Sequence, residues 1–213
     1  MQTYFVLIAT CLLGLTSCDS AAQQEQETTY PNEVIETIMT RRSVRQYNDE
    51  PISHEVMDKI LECGIHAPNG MNAQRWEVRV VESQKWINDA TEAYKNSIPA
   101  DSPMAEQFKD PNFKNMFRNA PAVIIVAAEP TRFAGVDCGI LAQNMMLAAH
   151  ELGLGTCCLG SPVDFMHSEA AAEYLSSLNL PEGYQVQYAV AVGYADETPE
   201  AKPRDESKIS FVE

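Results

Sequence analysis

The chain has no apolar run long enough to cross a bilayer, for which about 20 residues are needed. Its longest, Phe5–Leu15, spans eleven residues. Basic residues are scarce: 15 lysines and arginines face 30 carboxylates, leaving a net charge of −15. That balance excludes a nucleic-acid partner and adsorption to anionic lipid. The six cysteines include no C-x-x-C and match no zinc spacing. The four histidines, His54, His66, His150 and His167, show no ligand spacing, and His150-Glu151 lacks the second histidine of H-E-x-x-H. No triad and no carboxylate pair stands out. Gly153 and Gly155 are not followed by a third glycine, Cys158 standing in its place, so no dinucleotide fingerprint is present. Internal repeats are lacking too.

What the first thirty residues do contain reads as an export signal. Eleven apolar residues fit the h-region of a secretory signal peptide, although no lysine or arginine precedes them. Leu15-Thr16-Ser17-Cys18 follows directly and resembles the lipobox of bacterial lipoproteins, with Cys18 as the lipidated residue. The alternative is an ordinary signal peptide cleaved nearby. Residues 19–30 are polar, acidic and aperiodic, as in a flexible tether. The expected division is a signal at 1–18, a tether at 19–30 and one folded domain at 31–213, exported and held at a membrane through lipid alone.

Within the domain, Asn32 is placed to cap a helix through about Thr40 with Val34, Ile35, Ile38 and Met39 on one face. Ser53 starts a second helix carrying Val56, Met57, Ile60, Leu61 and Ile65. Trp76–Val81 alternates as a half-buried strand, and Ser83 opens a helix to about Asn96. Residues 97–120 are polar and proline-bearing, with short helical pieces at best. Ala122–Ala128 is continuously apolar, as expected of a central strand covered on both faces. A long apolar helix from about Gly135 to Leu152 stops at Gly153. Asp164 or Ser168 starts one more helix, and Tyr184–Val192 forms a last strand. This order is not a regular βαβα alternation, so an α+β layered fold is predicted. Cys63 and Cys138 fall on apolar helical faces, where free cysteine behaves as a small hydrophobe.

Three segments carry chemistry. Arg41-Arg42-Ser43-Val44-Arg45 sets three guanidiniums and a hydroxyl in five residues of an acidic chain, suited to a phosphate dianion; a solvated basic patch is the plainer reading. Ala67–Trp76 is a Pro/Gly-punctuated loop whose Asn69, Asn72 and Gln74 carboxamides both donate and accept, as a flavin's pyrimidine edge requires. The plainer reading there is a turn bonding its own backbone. Lys202-Pro203-Arg204 lies ten residues beyond the last strand and can fold back onto the same phosphate.

In this order, the three segments resemble the FMN-dependent nitroreductase family. Glu151–Thr156 and Val192-Gly193-Tyr194 join the match, which spans about residues 33–205. The resemblance implies a three-layer α/β/α sandwich, an intertwined homodimer and an FMN in each cleft between subunits. It assigns Arg41, Arg42, Ser43, Arg45, Lys202 and Arg204 to the FMN phosphate. Pro68, Asn69, Asn72 and Gln74 would line the ring, and the loop Cys157-Cys158-Leu159-Gly160 would bring backbone near it. The adjacent cysteines read as small side chains packed near a cofactor, since vicinal disulfides are strained. The implied reaction is ping-pong: NAD(P)H gives hydride to flavin N5, and a nitroaromatic, quinone or similar flat acceptor takes it, with no side chain as obligatory catalyst. The other readings are a flavin oxidoreductase with a different donor or acceptor, because nicotinamide cofactors are scarce outside the cytoplasm, and a flavin- or ligand-binding lipoprotein without turnover. Two departures stand out. Gln74-Arg75-Trp76 replaces the family's Gln-Pro-Trp, leaving the loop less rigid, and residues 97–120, which cover the substrate face in relatives, are short and polar.

Overall fold

A computed structural model describes residues 30–213. The expectations for the signal, for Cys18 and for residues 19–29 lie outside the described residues. Four strands, β1 (Trp76–Val81), β2 (Ala122–Ala128), β3 (Leu154–Leu159) and β4 (Gln185–Tyr194), form one antiparallel sheet in the order β1-β2-β4-β3. β2 is buried along its whole length. Its alternate side chains feed two cores, as the period of two requires. Ile124 and Val126 pack with Met57, Ile60, Cys138, Leu141 and Met145 on one face. Val123 and Ile125 pack with Ile87, Tyr94, Phe117, Phe165 and Met166 on the other. The helices of the first face are α2 (His54–Ile65) and α4 (Ala134–Glu151); α3 (Gln84–Ser97), α5 (Ser161–Met166) and α6 (Ala172–Ser177) cover the second. The α/β/α layering follows. Gly64 sets the α2–α4 contact, because a Cβ there would lie 2.5 Å from Met145 Cγ.

The caps read from sequence are in place. Asn32, Ser53 and Ser83 each accept a hydrogen bond from a backbone N–H in the first turn of α1 (Glu33–Thr40), α2 and α3. α1 nevertheless buries none of its residues: Val34 is 67% exposed, Ile38 50% and Met39 54%. An apolar stripe left uncovered on a helix marks a surface for interaction. No helix among the described residues is long and apolar enough to cross a membrane.

Two expectations are corrected. Cys157, Cys158 and Leu159 are not loop residues but the end of β3, with only Gly160 beyond it. α4 stops at Leu152, Gly153 turns the chain at φ +80°, and β3 begins at the next residue. Asp164 does not start a helix; it lies inside α5, which begins at Ser161 with Pro162 in its first turn. Ser168 precedes a 3-10 turn at Glu169–Ala171 that runs into α6, without capping it through its side chain.

Candidate functional site

The arginine segment is fixed by two glycines. Gly155 and Gly193 are paired across β3 and β4. A Cβ on Gly155 would come within 2.7 Å of Val44, and one on Gly193 within 2.7 Å of Pro121 and 2.9 Å of Tyr47. Their bare backbones let residues 43–48 cross the end of the sheet with Val44 and Tyr47 buried. Val44 N–H donates to Thr156 O at 3.0 Å and Asn48 N–H to Tyr194 O at 3.1 Å. With Val44 turned inward, Arg45 is exposed at the rim.

Charge singles this rim out. Among the described residues, side-chain ion pairs engage Lys59, Arg75, Arg79, Lys85, Lys95, Lys109, Lys114 and Lys208. The cations outside those pairs are Arg41, Arg42, Arg45, Arg118, Arg132, Lys202 and Arg204. In a chain with twice as many acids as bases, the cations left without carboxylates at this rim suit some other anion; Arg132 is not among them, lying over the Phe133 ring just before α4. Arg41 carries the sharpest signal: its Nη1 is buried and has no hydrogen-bond partner. Burial holds its pKa below the ordinary arginine value, and the charges of Arg42 and Arg204 lower it further. Arg204, 163 positions along the chain, is therefore close enough to act on Arg41. His150, whose Nε2 lies 3.0 Å from Thr40 Oγ1, is likewise held below its usual pKa by burial and then by Arg41. Desolvated, mutually repelling cations with an orphaned donor suit a dianion.

The predicted phosphate residues are not equivalent. Arg42 donates to Met39 O at 2.7 Å and Arg41 O at 3.0 Å, closing the carbonyl end of α1. It also lines a cavity of about 450 Å³ with Thr40, Val44, His150 and Glu197. Arg45 Nη1 donates to Ser43 O at 3.0 Å. Lys202 and Arg204 are exposed, joined to each other by Arg204 Nη1 donating to Lys202 O at 3.2 Å. Burial raises the Cys157 thiol pKa, and Arg45, Arg118 and Arg41 pull it back down; the end of β3 therefore faces the same cations. Cys158 is exposed at that end.

Arg118 belongs with them and was missed. It and Asn119 hold left-handed backbone at φ 59° and 62°. Such residues cost roughly 1–3 kcal/mol each and persist where their surroundings enforce them. Here Asn119 Oδ1 accepts from Lys114 N (2.7 Å) and Asn115 N (3.0 Å), and the buried Asn115 Oδ1 accepts from Phe117 N (2.9 Å) and Asn119 N (3.1 Å). The strapped turn delivers Arg118 to a cavity of about 670 Å³ beside Arg45 and Tyr47. Its only sequence signal is asparagine at 112, 115 and 119, the residue type that tolerates this backbone.

The carboxamide loop is strained as well: Met71, Asn72 and Gln74 have φ of 56°, 52° and 48°. Asn69 builds it, its Oδ1 accepting from Gln74 N at 2.8 Å and its Nδ2 donating to Ala67 O at 3.3 Å. The local-turn reading is thus right for Asn69. Pro68, Asn72 and Gln74 are exposed, and neither carboxamide at 72 or 74 has a partner among the described residues. Arg75, in place of proline, is tied to Glu129 by an ion pair of 2.8 Å and by Glu129 N–H donating to Arg75 O at 3.2 Å. Those two bonds tether the position where the proline ring is missing.

The structure does not bring this loop to the arginines of the same chain. Gly70 N–H donates to Asp137 near the start of α4 at 3.3 Å, whereas Thr40 and Thr37 bond His150 and Glu151 at its end. Thirteen residues at 1.5 Å each put the two anchors about 20 Å apart. The two segments therefore lie at opposite ends of α4.

The model of the nitroreductase family matches residues 38–194. The chain is 32% identical over 174 residues to the NADPH-flavin oxidoreductase of Vibrio harveyi, covering 81% of this chain and 70% of that one. A nitroreductase from Bacteroides fragilis with bound FMN superimposes with a TM-score of 0.77 at 32% identity, over 85% of this chain and 100% of its own. An FMN-bound nitroreductase from Desulfitobacterium hafniense gives 0.77 at 33% identity, over 85% and 99%. The chain belongs to the nitroreductase family.

Proposed function

We propose that this protein is an FMN-dependent oxidoreductase that takes electrons from NAD(P)H and passes them to small flat acceptors such as nitroaromatics or quinones. The observation that carries the reading is the cluster of cations without carboxylate partners around the orphaned Arg41 Nη1, in a chain of net charge −15. Arg41, Arg45, Ser43 and Arg204 would hold the FMN phosphate, and Arg42 would hold them in place by closing α1. Bound FMN supplies the hydride chemistry at its N5.

Two copies complete the site. The half-sites sit at opposite ends of α4, so an antiparallel pair of α4 helices about a twofold axis sets the arginines of one protomer against Pro68, Asn72 and Gln74 of its partner. The uncovered stripe of α1 supports that pairing. The carboxamides of Asn72 and Gln74 would read the ring edge, and Asn69 and Asp137 would hold their strained backbone ready. Arg118, which lines one cavity with Arg45, would add fixed positive charge beside the phosphate.

Lipidation at Cys18 would place the domain outside the cytoplasm, and palmitate incorporation lost on Cys18→Ser tests that. The function is tested by anaerobic titration of the purified yellow protein. NADH or NADPH should bleach its absorbance, and a nitroaromatic should restore it. Bleaching by other reductants but not by nicotinamides would shift the reading to another donor. Yellow protein that no reductant of physiological potential bleaches would make it a flavin-binding protein.

A further inference from the structure

The cation cluster is not wholly without negative charge. Beyond β4 the chain runs as a ladder against residues 45–48, with Asp196 N–H donating to Gln46 O at 2.9 Å and Tyr47 paired with Ala195. At the next rung a side chain replaces the backbone: Arg45 N–H donates to Glu197 Oε1. The Glu197 carboxylate makes no ion pair with any guanidinium among the described residues, yet it stands among them. It borders both the cavity that Arg42 and His150 line and the one that Arg45 and Arg118 line. It is also the sole acid lining the first of these. The buried Tyr47 and Cys157 feel its charge together with those of Arg45 and Arg118.

We infer that Glu197 is the resident anion of the phosphate cradle: its carboxylate holds the Arg45 N–H and partly neutralises the arginines, and the phosphate of an incoming mononucleotide is bound against its charge. The inference rests on the proposed FMN function. A carboxylate kept within a site for a dianion steadies the empty cradle and weakens the filled one, because like charges at short range repel in a partly desolvated pocket. Glu197 thereby sets how readily the cofactor leaves. Its effect acts on the phosphate alone and spares the ring.

The test measures FMN and riboflavin dissociation constants on the flavin-stripped full chain, by quenching of flavin fluorescence, for the native protein and for Glu197→Gln. The glutamine keeps an acceptor oxygen for Arg45 N–H and removes the charge. FMN should bind about three- to tenfold more tightly, riboflavin should be unchanged, and the melting temperature of the empty protein should fall. Glu200→Gln, three residues away, exposed and outside both cavities, should leave the FMN-to-riboflavin ratio at its native value. Unchanged or weaker FMN binding in Glu197→Gln overturns the assignment, as does an equal gain from Glu200→Gln. A native chain that binds neither flavin brings down the functional reading, and the inference with it.

Discussion

Replacing Arg41 by methionine should stabilise the empty protein and weaken its hold on FMN. The side chain makes no hydrogen bond, and Nη1 is buried without a partner. Burial and the neighbouring charges of Arg42 and Arg204 all disfavour its charged form. A buried unsatisfied donor costs about 1–3 kcal/mol. Methionine keeps the apolar stem and removes the charge, so a gain of roughly 1–2 kcal/mol is expected, or about 2–8 °C in melting temperature for a domain of this size. With FMN bound the sign reverses, because a hydrogen bond to a charged partner contributes about 1.5–3 kcal/mol, a factor of about 10–150 in Kd. Differential scanning fluorimetry of the flavin-free variant and a fluorescence titration with FMN read the two effects separately. A variant that melts below the native chain when empty, or that binds FMN as tightly, refutes the reasoning.

Gly155→Ala brings a Cβ within 2.7 Å of Val44 Cβ, so it should displace residues 43–45, cost about 1–3 kcal/mol of stability, and empty the purified protein of flavin; absorbance per mole of protein measures this. Ile38→Asp charges the uncovered stripe of α1 and should yield monomers that carry little FMN, seen by light scattering alongside the visible spectrum. Burial pushes the Cys138 thiol up to about 11 from an ordinary 9. The folded chain keeps this proton where the unfolded chain has released it, so the stabilisation is complete below pH 9 and is lost as pH rises through 11. The fall in urea midpoint across that window should therefore be shallower in Cys138→Ala than in the native protein.

Most of the scaffold was legible because it obeys local rules. Ala122–Ala128 could be placed at the sheet centre, since seven β-branched or small apolar residues without a polar break need cover on both faces. Asn32, Ser53 and Ser83 announced their helices through cap chemistry. β3 was hidden because Leu154-Gly155-Thr156-Cys157-Cys158-Leu159 has no polar/apolar alternation and only one β-branched residue; it exists through its pairing with β4 and with Ser43. The site was legible as composition and illegible as geometry. Arginines at 41, 42 and 45 stood out in an acidic chain, but nothing local says that Arg42 closes α1 or that Asn69 is consumed in shaping its own loop. Arg118 depends on a left-handed turn held by three asparagines, and the separation of the half-sites depends on the length and packing of α4. Those are tertiary facts.

The most direct measurement is a crystal structure of the protein with FMN. The account predicts a dimer in which the phosphate of each FMN accepts from Arg41 and Arg204 of one protomer, while the ring rests against Pro68, Asn72 and Gln74 of its partner. A phosphate bound away from Arg41, or a ring held wholly by the chain that holds its phosphate, would contradict it.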